Sequence, residues 1–180
     1  MILSDSELVE MLREPRTRRE GFAVLVKQYS EKLYWKVRRI VLSHEDANDV
    51  LQNVFIKVWS NLQNFQGKSS LSTWLYRIAI NESLDFLRKQ KLADKVSADE
   101  DVSVASRLMS DEYFDGDEVQ ARLQEAVARL PEVQRTVFNL KYFEEMKYSE
   151  MSQILNTSEG ALKASYHLAV KKITEYLHLF

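Results

Sequence analysis

The chain has 180 residues, of which 45% are hydrophobic and 29% charged, with four Gly, two Pro and a formal charge of −2 at pH 7. That composition excludes collagen-like, low-complexity and wholly disordered chains and allows one domain or two small ones. The absence of cysteine excludes disulfides, thiolate zinc sites and cysteine nucleophiles; no apolar run reaches the roughly 18–20 residues of a membrane span, and MILSDSELVE lacks the features of a signal peptide, so a cytoplasmic location is expected.

Ser4 and Glu7 have capping-box spacing, which predicts a short first helix carrying Leu8, Val9, Met11 and Leu12 and ending before Pro15. A long second helix follows, because Phe22, Leu25, Val26, Tyr29, Leu33, Val37, Ile40 and Val41 recur at three- and four-residue steps on one stripe. Arg38 and Arg39 fall near its C-terminal end, where cations suit the helix dipole. A third helix is expected after Ser43, burying Ala47, Val50, Leu51, Val54, Val58 and Leu62 and leaving Asp46, Asp49, Gln52, Asn53 and Lys57 on a polar face. Asn64-Phe-Gln-Gly-Lys-Ser-Ser70 then breaks the period, and a fourth helix capped by Ser70 or Ser72 runs to about Lys91.

Charge divides the chain further. Residues 1–93 hold 15 basic and 11 acidic side chains (+4), residues 94–118 hold 2 and 9 (−7), and residues 119–180 hold 8 and 7 (+1). Two mildly basic units, 1–93 and 119–180, joined by a flexible acidic linker at 94–118, are therefore expected. The alternative, one domain with an acidic surface loop, would need an unusually long loop without structure of its own. Beyond the linker, Val119, Leu123, Ala126, Val127 and Leu130 form a stripe, and Pro131 is placed as the first residue of a helix through Val133, Val137, Phe138 and Lys141. A short helix from Ser149 to Leu155, a break at Asn156 and Thr157, and a last helix from about Ser158 to Leu177 complete an all-α chain, with no sustained alternation that would argue for a strand.

The last two helices have helix-turn-helix proportions. Met151, Ile154 and Leu155 can pack on Leu162, Tyr166, Ala169 and Ile173, turning Glu159, Lys163, His167 and Lys171 outward towards a major groove. A plain three-helix bundle shows similar spacing. On the fourth helix Trp74, Arg77, Asn81 and Arg88 share a face that could stack on unpaired bases, bond their edges and hold phosphates, with Phe65 and Lys68 extending that chemistry into the loop. Trp74 could equally be a core anchor. Enzymatic readings fare worse: His44, His167 and His178 lack metal-ligand spacing, and there is no phosphate loop, HExxH or nucleophile elbow, so neither catalysis nor a cofactor or metal is expected.

Taken in order, FAVLVKQYSEKLYWKVRRI, DANDVLQNVFIKVW and FQGKSSLSTWLYRIAIN with LRK resemble region 2 of the extracytoplasmic-function (ECF) class of bacterial sigma factors. LPEVQRTVFNLKYFEEMKYSEMSQILNTSEGALKASYHLAVKKI resembles their region 4. The resemblance implies a promoter-specificity subunit whose partners are core RNA polymerase and promoter DNA, and it allows for an anti-sigma factor. It implies polymerase docking through Asp46, Asp49, Gln52, Asn53 and Lys57, and capture of the melted minus-ten strand by Phe65, Lys68, Ser69, Thr73, Trp74, Arg77, Asn81 and Arg88. It also implies reading of the minus-thirty-five duplex by Ser158, Glu159, Lys163, Ala164, His167, Leu168 and Lys171.

Many relatives carry several arginines in the recognition helix, where this chain has Ser165, Leu168 and Val170. Phosphate contacts, groove shape and apolar contact with thymine methyls are therefore expected to replace bidentate guanine readout. A net charge of −2 predicts weak duplex binding by the lone chain, and the acidic linker is expected to lie near the basic surfaces until polymerase binds. Two rivals are a stand-alone helix-turn-helix regulator, which would bind an operator without polymerase, and a helical adaptor that binds only proteins.

Overall fold

A computed structural model describes residues 3–93 and 118–178. It divides into two units, Met1–Lys95 and Val96–Phe180, and among the described residues all regular structure is helical. The acidic stretch expected as a linker lies, apart from Glu118, outside the described residues.

In the first unit α1 (Asp5–Arg13) begins with the predicted capping box: Ser4 Oγ accepts from the Glu7 amide at 3.3 Å and Glu7 Oε2 accepts from the Ser4 amide at 2.8 Å. Its other end is closed by Arg18, whose guanidinium donates to the carbonyls of Leu12 (3.0 Å) and Arg13 (3.3 Å), acceptors that a helix C-terminus leaves unsatisfied. The chain then enters α2 (Arg18–Val41). Gly21 lets the two helices touch, since a Cβ there would stand 2.8 Å from Met11 Cβ.

Leu42 ends α2 in the left-handed region at φ 68°, and Ser43 caps α3 (His44–Asn61) by accepting from the Asp46 amide at 3.3 Å. A 3-10 turn (Leu62–Asn64) and a loop through Gly67 lead to α4 (Leu71–Ala93). Of the two candidate caps, Ser70 is the one used: its Oγ accepts from the Thr73 amide at 3.1 Å. Helix α2 packs on both α3 and α4. The core between them holds Leu25, Leu33, Tyr34, Val37, Val50, Val54, Val58, Leu71, Leu75 and Ile80. Most of the expected stripes of α2 and α3 are thus buried, although Phe22, Val26, Leu51 and Leu62 are only half-buried. Arg38, near the end of α2, is 2% exposed, so burial as well as the dipole shapes its surroundings.

The second unit comprises α5 (Glu118–Ala128), α6 (Glu132–Phe138), a π-helical turn (Asn139–Phe143), α7 (Tyr148–Leu155) and α8 (Glu159–Leu177). Ala126, Val127, Leu130, Phe138, Ala169 and Ile173 form one core cluster, with Leu123, Phe143, Tyr166 and Tyr176 packed against it. Arg135 on α6 donates to the carbonyls of Ala128 (3.3 Å) and Leu130 (3.4 Å) and so closes the end of α5. Pro131 stands as the N-cap of α6, one position earlier than expected. One further expectation fails: Val119 leaves its stripe at 73% exposure, and Val133, although inside its helix as expected, is 63% exposed. Both occupy the first turn of their helix, where periodicity identifies a side but only a neighbouring element can bury it. Asn156 makes the sharp turn between α7 and α8 in the left-handed conformation, φ 50°, and Ser158 caps α8.

Candidate nucleic-acid interface

Three exposed surfaces carry the sequence-predicted site residues. On α3, Asp49, Gln52 and Asn53 are exposed, as the polar face requires. Asp46 is half-buried in the first turn, and Lys57 forms an ion pair with Glu82 of α4, so its charge is already partly neutralised. Beside them is an aromatic strip of which periodicity singled out only Phe22, as a core position. The Trp59 ring, 41% exposed, packs 5.0 Å from Phe22, which also meets Phe55 edge-on at 6.4 Å, and Ile56 projects into solvent nearby in sequence. The available signal was three large apolar residues, Phe55, Ile56 and Trp59, lying off the buried stripe.

The second surface is the loop before α4 and the helix's exposed face. Phe65 is half-buried because it packs on Trp74, with ring centroids 5.1 Å apart at 49°. The loop therefore brings together two aromatic rings that lie nine positions apart. Lys68 and Ser69 are exposed beside them. Thr73 is half-buried, its Oγ1 sharing a 2.8 Å hydrogen bond with the capping Ser70. Arg77, Asn81 and Arg88 are exposed on the same helix, Arg88 in an ion pair with Asp85 at 2.9 Å. From Trp74 to Arg88 the helix rises about 21 Å. These residues thus form a track rather than one pocket, with the aromatic pair at its start.

The loop is buttressed by α1, which sequence reasoning left without a role in the site. Asp5 Oδ1 accepts a 2.5 Å hydrogen bond from the buried Tyr29 hydroxyl, while Oδ2 accepts from the Ser72 amide, in the first turn of α4, at 3.4 Å. Burial, followed by that hydrogen bond and the charge of Asp5, pushes the Tyr29 hydroxyl far above its ordinary pKa; burial and Asp5 also raise Tyr76. Lys36 lies 4.0 Å over the Tyr76 ring, and burial with the nearby Arg39 and Lys32 lowers its pKa to about 8. At the other end of α1, Arg13 Nη2 reaches to 3.5 Å of where a Cβ on Gly67 would stand. These contacts join residues up to 67 positions apart, so no local pattern could announce them.

The third surface is α8. Leu162, Ala169 and Ile173 are buried, Met151 of α7 packs inside, and Glu159, Lys163, Ala164, His167, Leu168 and Lys171 are exposed. Leu168 does face outward, at 46% exposure. Ser158 has its Oγ engaged with the Ala161 amide at 3.3 Å. Lys163 leans over Tyr148 of α7, its Nζ 5.6 Å from the ring centroid, and Lys141 approaches the same ring at 5.0 Å. Lys171 is loosely paired with Glu175 at 3.9 Å. Among the described residues no group of three or more metal-ligating side chains converges, and no helix is long and apolar enough to cross a membrane.

The sequences of the two units match two known regions. Residues 25–93 match Sigma-70 region 2 and residues 120–173 match Sigma-70, region 4. The ECF RNA polymerase sigma factor SigW of Bacillus subtilis is 32% identical, covering 82% of this chain and 84% of the relative. The RNA polymerase sigma-H factor of Pseudomonas aeruginosa is 30% identical over 96% of this chain and 93% of its own. Among solved structures, the sigma factor RpoE of Bartonella quintana in complex with the anti-sigma factor NepR shares the fold, with a TM-score of 0.69 at 20% identity, covering 88% of this chain and 98% of that one. CnrH in complex with the cytosolic domain of CnrY gives 0.64 at 21%, covering 97% of both. With both regions present in order and relatives aligned over most of its length, the chain belongs to the ECF class of RNA polymerase sigma factors.

Proposed function

We propose that the three surfaces divide the work of a sigma factor between them. As a member of this class the chain binds core RNA polymerase, directs it to promoters and assists strand opening. In our assignment residues 1–93 dock on the polymerase through the polar face of α3 and hold the melted non-template strand along the Phe65–Arg88 track. Residues 119–180 set the upstream duplex against α8, and 94–118 connect the two. In the same assignment nucleotidyl transfer stays with the polymerase, and the chain works beside it in the cytoplasm. An anti-sigma factor, the kind of partner present in the Bartonella quintana complex, is a further partner.

The physical logic is a division of binding energy. Melting a promoter requires that unstacked bases find new partners, and the adjoining rings of Phe65 and Trp74 supply π-faces to replace those lost in the duplex. A chain of net charge −2 gains little from phosphate neutralisation alone, so the polymerase must provide the basic channel. On α8, Lys163 and Lys171 steer phosphates while the outward Leu168 offers an apolar surface to thymine methyls.

The observation that carries this reading is the pairing, in one chain, of a half-buried aromatic pair flanked by exposed Lys68 and Ser69 in the unit matched to region 2 with an outward polar stripe on α8 in the unit matched to region 4. Its test adds the purified chain to sigma-free core polymerase and sequences transcript starts on genomic DNA. A set of new starts sharing an upstream and a minus-ten element is expected; no new starts, or tight operator binding by the chain alone, would overturn it.

A further inference from the structure

The run Arg13-Glu-Pro-Arg-Thr-Arg-Arg19 holds four arginines in seven positions, and the match to region 2 begins only at residue 25. Helix α1 and this turn thus stand outside the matched region, yet one end of α1 reaches the first turn of α4 and the other reaches the loop before it. At the N-terminal end Asp5 ties the first turn of α4 to Tyr29. At the C-terminal end Arg18 closes the last carbonyls of α1, including that of Arg13 itself, which fixes the backbone from which the Arg13 side chain extends.

The exposed guanidinium of Arg13 lies against Gly67, with Nη2 3.5 Å from the position a Cβ would take. Gly67 is in the left-handed region at φ 71°, between the aromatic Phe65 and the exposed Lys68. A guanidinium is planar, always charged and suited to gripping a phosphate with two parallel hydrogen bonds. The helix that carries it is about 12 Å long between Asp5 and Arg13 and held at both ends, so little flexibility is lost when a ligand arrives.

We infer that Arg13 is a phosphate-binding residue for the captured single DNA strand, gripping its backbone beside Gly67 while the neighbouring rings take its bases. This rests on the reading that the loop holds melted strand. It adds to that reading a contact from outside the matched region.

The test uses holoenzyme assembled from core polymerase and the full chain, with a labelled single-stranded oligonucleotide carrying the minus-ten sequence obtained from transcript mapping. Affinity is measured over a salt series. Each phosphate neutralised on a single strand contributes about 0.7 to the slope of log K against log salt. Arg13→Gln should therefore flatten the slope by about 0.7 and weaken low-salt binding several-fold, whereas Arg13→Lys, which keeps the charge, should retain the slope. Arg13→Ala provides a second neutral variant if the glutamine variant fails to assemble, and assembly is followed separately by native gel. An unchanged slope in the neutral variants, or equal weakening by Gln and Lys at constant slope, would overturn the inference and leave Arg13 as packing for the loop. A wild-type holoenzyme that does not bind the strand would overturn the parent reading, and this inference with it.

Discussion

The Phe65 ring tilts against Trp74 at 5.1 Å in the free chain, so the facing sides of the two rings are partly occupied by each other. Strand capture on this pair requires the rings to part, or a base to stack on an outer face. Stacking on an aromatic side chain is worth about 1–3 kcal/mol per base. Phe65→Ala and Trp74→Ala should each weaken single-strand binding by holoenzyme by roughly five- to 150-fold, with polymerase assembly unchanged. Fluorescence anisotropy of a labelled strand checks this; wild-type affinity in both variants would remove the pair from the site.

Lys36 makes stability respond to pH in a definable window. Its folded pKa, about 8, lies below its ordinary 10.5, so between those values the unfolded chain binds more protons and stability rises with pH. Tyr29 acts in the opposite sense but only above its ordinary 10.0, because its folded value is raised and its contribution is lost as pH climbs beyond that. From pH 8 to just below 10 the first unit should therefore become more resistant to urea, and Lys36→Met should lack that rise. Urea midpoints at fixed pH steps decide the matter, a flat wild-type profile counting against the burial of Lys36.

Separate cores predict separate losses. Met151 is fully buried in the second unit, and shortening a buried methionine to alanine costs about 2–5 kcal/mol. Met151→Ala should abolish dependence on the upstream promoter element while holoenzyme keeps its affinity for the minus-ten strand. Calorimetry would show one transition lowered and the other unmoved; a matching fall in both would contradict independent units.

On α8 the expected discrimination comes without guanine-gripping arginines. Neutralising one duplex phosphate contact changes the salt slope by about 0.9, so Lys163→Gln should flatten upstream-duplex binding by that amount at every sequence. Leu168→Ser should instead reduce preference for thymine at one position, by about 1 kcal/mol or somewhat more. Promoter selection with each variant separates the two effects; a strictly required guanine run in the wild-type selection would refute both assignments.

Helix positions in this chain follow from chemistry between near neighbours. The Ser4 and Glu7 capping box, the helix starts after Ser43 and at about Ser158, the Ser70 cap and most of the stripes of α2 and α8 form where spacing placed them, because each needs only residues three or four positions apart. The outward Glu159, Lys163, His167 and Lys171 follow from the same period. Periodicity was less informative in first turns, as Val119 and Val133 show, since it records the side of a helix and not how far its neighbours extend. Tertiary packing alone joined Asp5 to Ser72, Arg13 to Gly67 and Lys57 to Glu82, and placed Lys36 over Tyr76. Charge and hydrogen-bonding capacity are written in residue types, but the partners that satisfy them, and the burial that moves a lysine's pKa, exist only once distant helices are brought into contact.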